Sequence, residues 1–290
     1  MAFLLSIPSP SSGQLDLGPL AIHAYGLMLL LAIVAATALT GIRWVRRGGD
    51  WDLVFQVAVW GVAFGIVGAR LYHVVTSWNE VPKEWWGVFA VWKGGLGVWG
   101  GIFFGVLAGA VVVRRAGQSV FRFMDAVAPG LLLAQAIGRW GNWFNQELYG
   151  KATDLPWGLK IDIQNRPLGS LDQATYHPVF LYEFTWNVIG VGVLLVLDRV
   201  FRFRPPALFA LYVAWYTAFR SFEEILRVDP AHEYFGFRLN FYVSVGVFAL
   251  SLAFFVWWQF FHRGRELAPV STRRIPEGPR MAIPRGRVRG

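Results

Sequence analysis

The chain has 290 residues, 55% of them hydrophobic and 16% charged, with a net charge of +9 and no cysteine. This excludes a disulfide framework and a protein thiolate as nucleophile, so any sulfur chemistry needs a thiol brought by a substrate. The positive excess is spread over alternate connectors instead of forming the basic face that nucleic acid requires, so no nucleic-acid partner is expected.

The apolar residues gather into stretches about 20 residues long, the length that crosses a bilayer. Seven spans are predicted, over 20–42, 52–75, 93–113, 123–144, 180–197, 206–226 and 239–261. The fold class is therefore an all-α membrane protein, a seven-transmembrane-helix bundle. Arg43, Arg46 and Arg47 follow the first span, Arg114, Arg115 and Arg122 the third, Arg199, Arg202 and Arg204 the fifth, and eight arginines the seventh. The positive-inside rule makes these connectors cytoplasmic, with the N-terminus outside and the C-terminus cytoplasmic. Residues 1–19 lack the basic start of a cleaved signal and read as an external N-terminal segment. Residues 20–263 form the transmembrane domain, including an external loop over 145–178, and 264–290 read as a basic, disordered cytoplasmic tail that can touch anionic lipid.

Along the chain, the first span enters from outside with His23 and Tyr25. The second carries Gly61, Gly65 and Ala69 and the third Gly97, Gly101, Gly105 and Gly109, a four-residue spacing that lets helix backbones approach closely. Arg70 and Trp99 lie near the outer ends of these two spans. The glycine run 94–101 lacks the preceding strand and the Lys-Ser/Thr ending of a phosphate loop. On the fourth span Gln135, Arg139, Asn142 and Gln146 share one helical face. The loop that follows covers or admits substrate. The fifth span opens with Tyr176-His177-Pro178, a proline suited to a first helical turn, and then sets Glu183 and Asn187 on one face. On the sixth, Tyr212, Tyr216, Arg220, Glu223 and Arg227 make a second polar stripe, with Glu224 also within reach of Arg220. The 15 tryptophans read mostly as interfacial anchors.

At 1.5 Å per residue, Arg139 lies about 24 Å and Arg220 about 21 Å from the cytoplasmic starts of their spans, which puts both in the outer half. A guanidinium at hydrocarbon depth is costly and marks a functional site by default. Two of them suit a phosphate through paired, charge-assisted hydrogen bonds, and the commonest such anion there is a phospholipid head group. The bland alternative pairs Arg139 and Arg220 with Glu147, Glu223 or Glu224 simply to hold the bundle together. Two other functions stay open: a transporter or channel with a polar pocket, and a non-enzymatic phospholipid-binding scaffold. A conduction path should stay polar toward the cytoplasm, whereas Met124 to Ala134 contains only Asp125 as a charge and Ala207 to Leu211 is apolar.

The segment Gly138-Arg139-Trp140-Gly141-Asn142-Trp143-Phe144-Asn145-Gln146-Glu147-Leu148-Tyr149-Gly150 resembles the signature of the bacterial prolipoprotein diacylglyceryl transferases. Supporting similarities are His23-Ala24-Tyr25-Gly26, the glycine-rich third span, His177-Pro178 with Leu181-Tyr182-Glu183, and Tyr216-Thr217-Ala218-Phe219-Arg220 with Glu224 and Arg227. The resemblance implies transfer of the diacylglyceryl group of phosphatidylglycerol to the lipobox cysteine thiol of a preprolipoprotein, with release of glycerol 1-phosphate. It implies a multi-pass protein of the bacterial cytoplasmic membrane, with phosphatidylglycerol, the lipobox peptide and membrane lipids as partners and no metal or cofactor.

It also implies that Arg139 and Arg220 engage the phosphate, that Asn142, Glu147 and Gly150 act within the signature, and that Tyr25, Tyr216, Glu224 and His177 surround the pocket. His23, Trp99 and Arg227 join the lipid-binding set. This chain departs from the family at Trp99-Gly100-Gly101, where His-Gly-Gly is common, and at Phe180, where glutamine is usual. A mechanism resting on that histidine does not transfer, and Glu147, Glu223, Glu224 and His177 remain candidates for the base.

Overall fold

Long apolar runs fold as helices because a backbone in hydrocarbon must satisfy its own N–H and C=O groups. The computed structural model describes residues 6–17, 20–229 and 233–262. Its long helices are α1 (Ala24–Arg46), α2 (Trp51–Thr76), α3 (Val98–Arg115), α4 (Val120–Asn145), α5 (Val179–Val200), α6 (Ala207–Leu226) and α7 (Leu239–Val256), the last continued by a π-helical turn over Trp257–Phe261. Six of them are long and apolar enough to cross a membrane, so this is a multi-pass membrane protein. The helix outside that six is α6, which holds Arg220, Glu223 and Glu224 within its 20 residues. The basic tail expected over 264–290 lies outside the described residues, as do 1–5 and 18–19 of the N-terminal segment.

Two spans start later than the apolar pattern predicts. Leu20–His23 is strand β2, paired antiparallel with β1 (Gln14–Leu17), so α1 begins only at Ala24. Gly94 and Gly95 take φ of 84° and 70°, a left-handed backbone that a helix cannot continue, and the Gly97 amide donates instead to Ala69 O at 2.8 Å. Two further hairpins, β3 (Leu159–Lys160) with β4 (Thr175–Tyr176) and β5 (Glu233–Tyr234) with β6 (Phe237–Arg238), lie in connectors at the same end of the bundle. That is the end where α1, α3, α5 and α7 begin and α2, α4 and α6 finish.

α2 runs along α3, α1 along α4 and α7 along α6, while α4 also meets α5 and α6. The expected glycine ridges do face each other: a Cβ built on Gly105 would stand 3.1 Å from Gly61 O, and one on Gly101 3.4 Å from Gly65 O. The tightest point falls one residue off the predicted rows, where a Cβ on Gly100 would stand 2.3 Å from Gly68 O. Without a hydrophobic drive between helices in lipid, such close backbone packing supplies much of the association. Gly100→Val is therefore expected to lower stability by about 1–3 kcal/mol, read as a lower Tm in detergent. Gly192→Ala, where a Cβ meets nothing within 4 Å, leaves Tm unchanged.

Three buried clusters stack along the bundle. Trp44, Leu53, Val54, Val113 and Phe123 pack at the end bearing the arginine-rich connectors. Ala128, Leu132, Leu194, Leu208 and Tyr212 fill the middle between α4, α5 and α6. Tyr149, Leu159, Ile161, Tyr176 and Phe180 cap the hairpin end, where the connector 145–178 folds onto α4 and α5. Beyond the first cluster Arg43 donates to Asp125 O at 2.8 Å and Ala126 O at 2.9 Å, and Arg47 grips Asp198 at 2.7 and 2.9 Å. Asp125 accepts from the Phe209 amide at 2.9 Å, which satisfies an open donor in the first turn of α6.

Candidate active site

The polar stripes of α4 and α6 point at each other beneath the hairpin end. Arg139 pairs with Glu183 of α5 at 2.6 Å, and Glu183, 1% exposed, sets its carboxyl against that of Glu223. Glu223 is in turn paired with Arg220 at 2.9 Å, and Arg220 also hydrogen-bonds Glu224. Arg227 stands 3.8 and 3.7 Å from Glu223 and Glu224, and Arg238 of β6 pairs with Glu224 at 3.0 Å. Asp229 closes the group, held by Arg227 at 2.7 Å and Arg238 at 2.6 Å. Four guanidiniums thus meet four carboxylates, with the Tyr216 phenol within electrostatic reach of Arg139, Arg220, Glu183 and Glu223. Burial opposes ionisation of Asp229, but hydrogen bonds from Arg227 and Arg238 outweigh it and hold the carboxyl below the usual carboxylate range.

The end of α4 explains the spacing of the Gly138–Gly150 segment. Gln146 and Leu148 both take left-handed backbone, φ 51° and 54°, which stops the helix and folds the chain back over its last turn. The cost of two such residues is offset by hydrogen bonds: Gln146 Nε2 donates to Asp162 Oδ2 at 2.7 Å, its Oε1 accepts from the Asp162 amide at 2.8 Å, and the Glu147 amide donates to Asn142 O at 3.1 Å. The fold-back brings Glu147 to Asn142, whose Nδ2 donates to Oε1 at 3.0 Å while its Oδ1 accepts from Arg139 at 3.3 Å. Asn145 adds a second amide to Glu147 at 3.3 Å. Tyr25 packs on the bare backbone of Gly141, where a Cβ would meet its ring at 2.5 Å, and feels the charges of both Glu147 and Arg139.

Gly150 touches protein backbone on both sides. Its amide donates to His177 O at 3.0 Å, it bridges to Arg227, and a Cβ there would stand 2.8 Å from His177 Cβ and 3.3 Å from Leu226 O. With Lys151 donating to Leu226 O at 2.8 Å, this residue pair ties the start of α5 to the end of α6. His177 shares a 3.2 Å hydrogen bond with Tyr182, which accepts from Trp157 at 3.0 Å, and stands outside the ion network. Burial pushes its imidazole below the ordinary histidine range, so His177 is expected to titrate below about 6.5. A lowered folded-state value means that stability is full above 6.5 and falls as acid protonates the site. An NMR titration with His177→Gln as the assignment control checks this.

The other expected positions are spread wider. His23 lies in the β1–β2 hairpin, bonded to Gln14 at 2.8 Å, and shares with Glu147 the wall of a pocket at the hairpin end. Trp99 is 58% exposed at the start of α3, the helix packed along α2. Arg70, drawn to the same depth by the sequence, donates to Val88 O, Gly87 O, Gly94 O and Gly95 O at 2.5–3.0 Å and so binds the 77–97 connector. Sequence reasoning did not place Glu183, Asp229 or Arg238 in the site. Glu183 carried the one available signal, a carboxylate sharing a face with Asn187 inside an apolar span.

The fold and site define a polytopic helical membrane protein with a charge-balanced arginine and carboxylate cluster at one end of its bundle. The family model for prolipoprotein diacylglyceryl transferase matches residues 13–257, and the chain belongs to that family. It is 48% identical over 270 residues to phosphatidylglycerol-prolipoprotein diacylglyceryl transferase 2 of Streptomyces coelicolor, covering 91% of this chain and 84% of the relative. The corresponding transferase of Bifidobacterium adolescentis is 41% identical over 289 residues, covering 94% and 86%. That of Cutibacterium acnes is 47% identical over 247 residues, covering 84% and 83%.

Proposed function

We propose that this protein transfers the diacylglyceryl group of phosphatidylglycerol to the lipobox cysteine thiol of a prolipoprotein and releases glycerol 1-phosphate. The observation that carries the reading is the convergence of Arg139 and Arg220 on one buried cluster, backed on its inner side by the apolar layer of Leu132, Leu194 and Leu208. That layer separates the site from the Arg43, Arg47 and Asp198 group, which favours a one-sided pocket over a conduction path. All seven long helices span the bacterial cytoplasmic membrane in this reading, with the N-terminus outside, the C-terminus in the cytosol and the hairpin end in the outer leaflet.

In the transfer, the sulfur forms a bond to the glyceryl carbon, the carbon–oxygen bond to phosphate breaks, and the electron pair leaves on the phosphate oxygen. The guanidiniums of Arg139 and Arg220 stabilise that developing charge. Both already carry carboxylate partners, so the head group takes the places of Glu183 on Arg139 and Glu224 on Arg220. Tyr25 and Tyr216 line the approach, Asn142 and Arg227 hold the arginines and their partners in place, and Gly150 with His177 sets the distance between α5 and α6. His23 stands at the rim, in the wall that also holds Glu147, whereas Trp99 lies apart at the start of α3.

A thiol of pKa about 8.5 must lose its proton before it attacks. Glu223 and Glu224 are ion-paired to Arg220, whereas Glu147 is engaged by the amides of Asn142 and Asn145, and we assign the base role to Glu147. The test is purified protein with phosphatidylglycerol and a lipobox peptide, beside its Cys→Ser control. Glycerol phosphate release with a matching mass gain on the cysteine peptide is expected. Absence of both sinks the reading.

A further inference from the structure

We propose that a polar pocket over the end of α4 receives the stretch of the polypeptide substrate that follows the cysteine. The inference rests on the transferase reading above. The pocket, about 400 Å³, is built from three separate segments that contribute Gln14 and His23, Asn145 and Glu147, and Gln164 and Asn165. Its wall is held in place: Trp143 donates to Pro8 O at 3.1 Å, Gln146 to Pro10 O at 3.0 Å, and the Ile7 amide to Gly158 O at 2.9 Å. The N-terminal segment is thereby strapped across α4 and the connector that follows it.

The pocket opens directly above the reacting centre, because Glu147 in its wall bonds Asn142, which bonds Arg139. A substrate thiol brought to a lipid held at Arg139 must send the chain after it toward water, and this path leads into the pocket. Carboxamides and hydroxyls offer paired donors and acceptors to a peptide backbone. The other candidate occupants fit worse. An acyl chain would strand these polar groups, and a departing glycerol phosphate would face Glu147 with no lysine or arginine in the lining. The same carboxylate makes the pocket selective, disfavouring acidic residues just after the cysteine.

Two measurements test this. A lipobox peptide with Cys→Ser and a photo-reactive group two residues further on needs binding but no transfer, and it is expected to cross-link within 10–14, 144–147 or 164–165. Cross-linking confined to other segments, or none, overturns the proposal even if transfer is normal. In the second, Gln164→Trp narrows the pocket from an exposed loop position and is expected to raise KM about tenfold for a peptide extended past the cysteine. A peptide ending at an amidated cysteine keeps its kcat/KM in the same variant. An equal loss for both peptides, or none for the extended one, overturns the proposal, whereas failure of the unsubstituted protein on both peptides strikes the transferase reading instead.

Discussion

Arg139→Gln and Arg220→Gln are each expected to cut diacylglyceryl transfer by about a thousandfold, the loss seen when a preorganised donor to developing charge is removed from a site shielded from water. Glutamine keeps much of the length and some hydrogen bonding but loses the charge and the planar fork that holds a phosphate from two directions. The effect belongs to the transition state, so kcat falls together with kcat/KM. Release of labelled glycerol phosphate from phosphatidylglycerol by the purified variants measures it, with recovery from the membrane fraction as the check on insertion. Turnover within tenfold of the unsubstituted protein in either variant would remove the arginines from the chemistry.

Glu183 separates stability from function. Glu183→Leu leaves Arg139 deep in the bundle without its 2.6 Å partner, and breaking one side of a buried pair costs about 3–5 kcal/mol. The Tm in detergent should drop accordingly. Replacing both members, Arg139→Leu with Glu183→Leu, removes the uncompensated charge and is expected to restore most of that loss, because a well-packed apolar pair is often as stable as a buried ion pair. Transfer stays absent in the double variant. A double variant as unstable as Glu183→Leu alone would show that the pair is held by more than mutual neutralisation.

The two stripes were legible in sequence because Gln135, Arg139, Asn142 and Gln146, like Tyr216, Arg220 and Glu223, repeat at the helical period. A residue's face follows from its place in that period whatever the helix packs against. The partners were not legible. Glu147 sits closer in sequence to Arg139 than Glu183 does, yet Arg139 pairs with Glu183, because α5 aims that carboxylate into the bundle while the left-handed turn at Gln146 and Leu148 folds Glu147 onto the amide of Asn142 instead. Arg238 and Asp229 were missed for a related reason. They join Glu224 and Arg227 only after a connector has folded back on the end of α6, and no periodic pattern encodes that return.

From the sequence by itself came the membrane class, the apolar spans, the two polar stripes and the family signature, since each depends on hydropathy, short-range spacing or residue identity within one segment. Tertiary structure decided where α1 and α3 begin, that Gly68 and Gly100 make the closest approach of the α2 and α3 backbones, which carboxylates neutralise which arginines, and that three distant segments enclose a polar pocket. These depend on the rotation and register of one element against another. In a bilayer that choice is made by backbone fit and by pairing buried polar groups, which are properties of the assembled bundle and of no single stretch of chain.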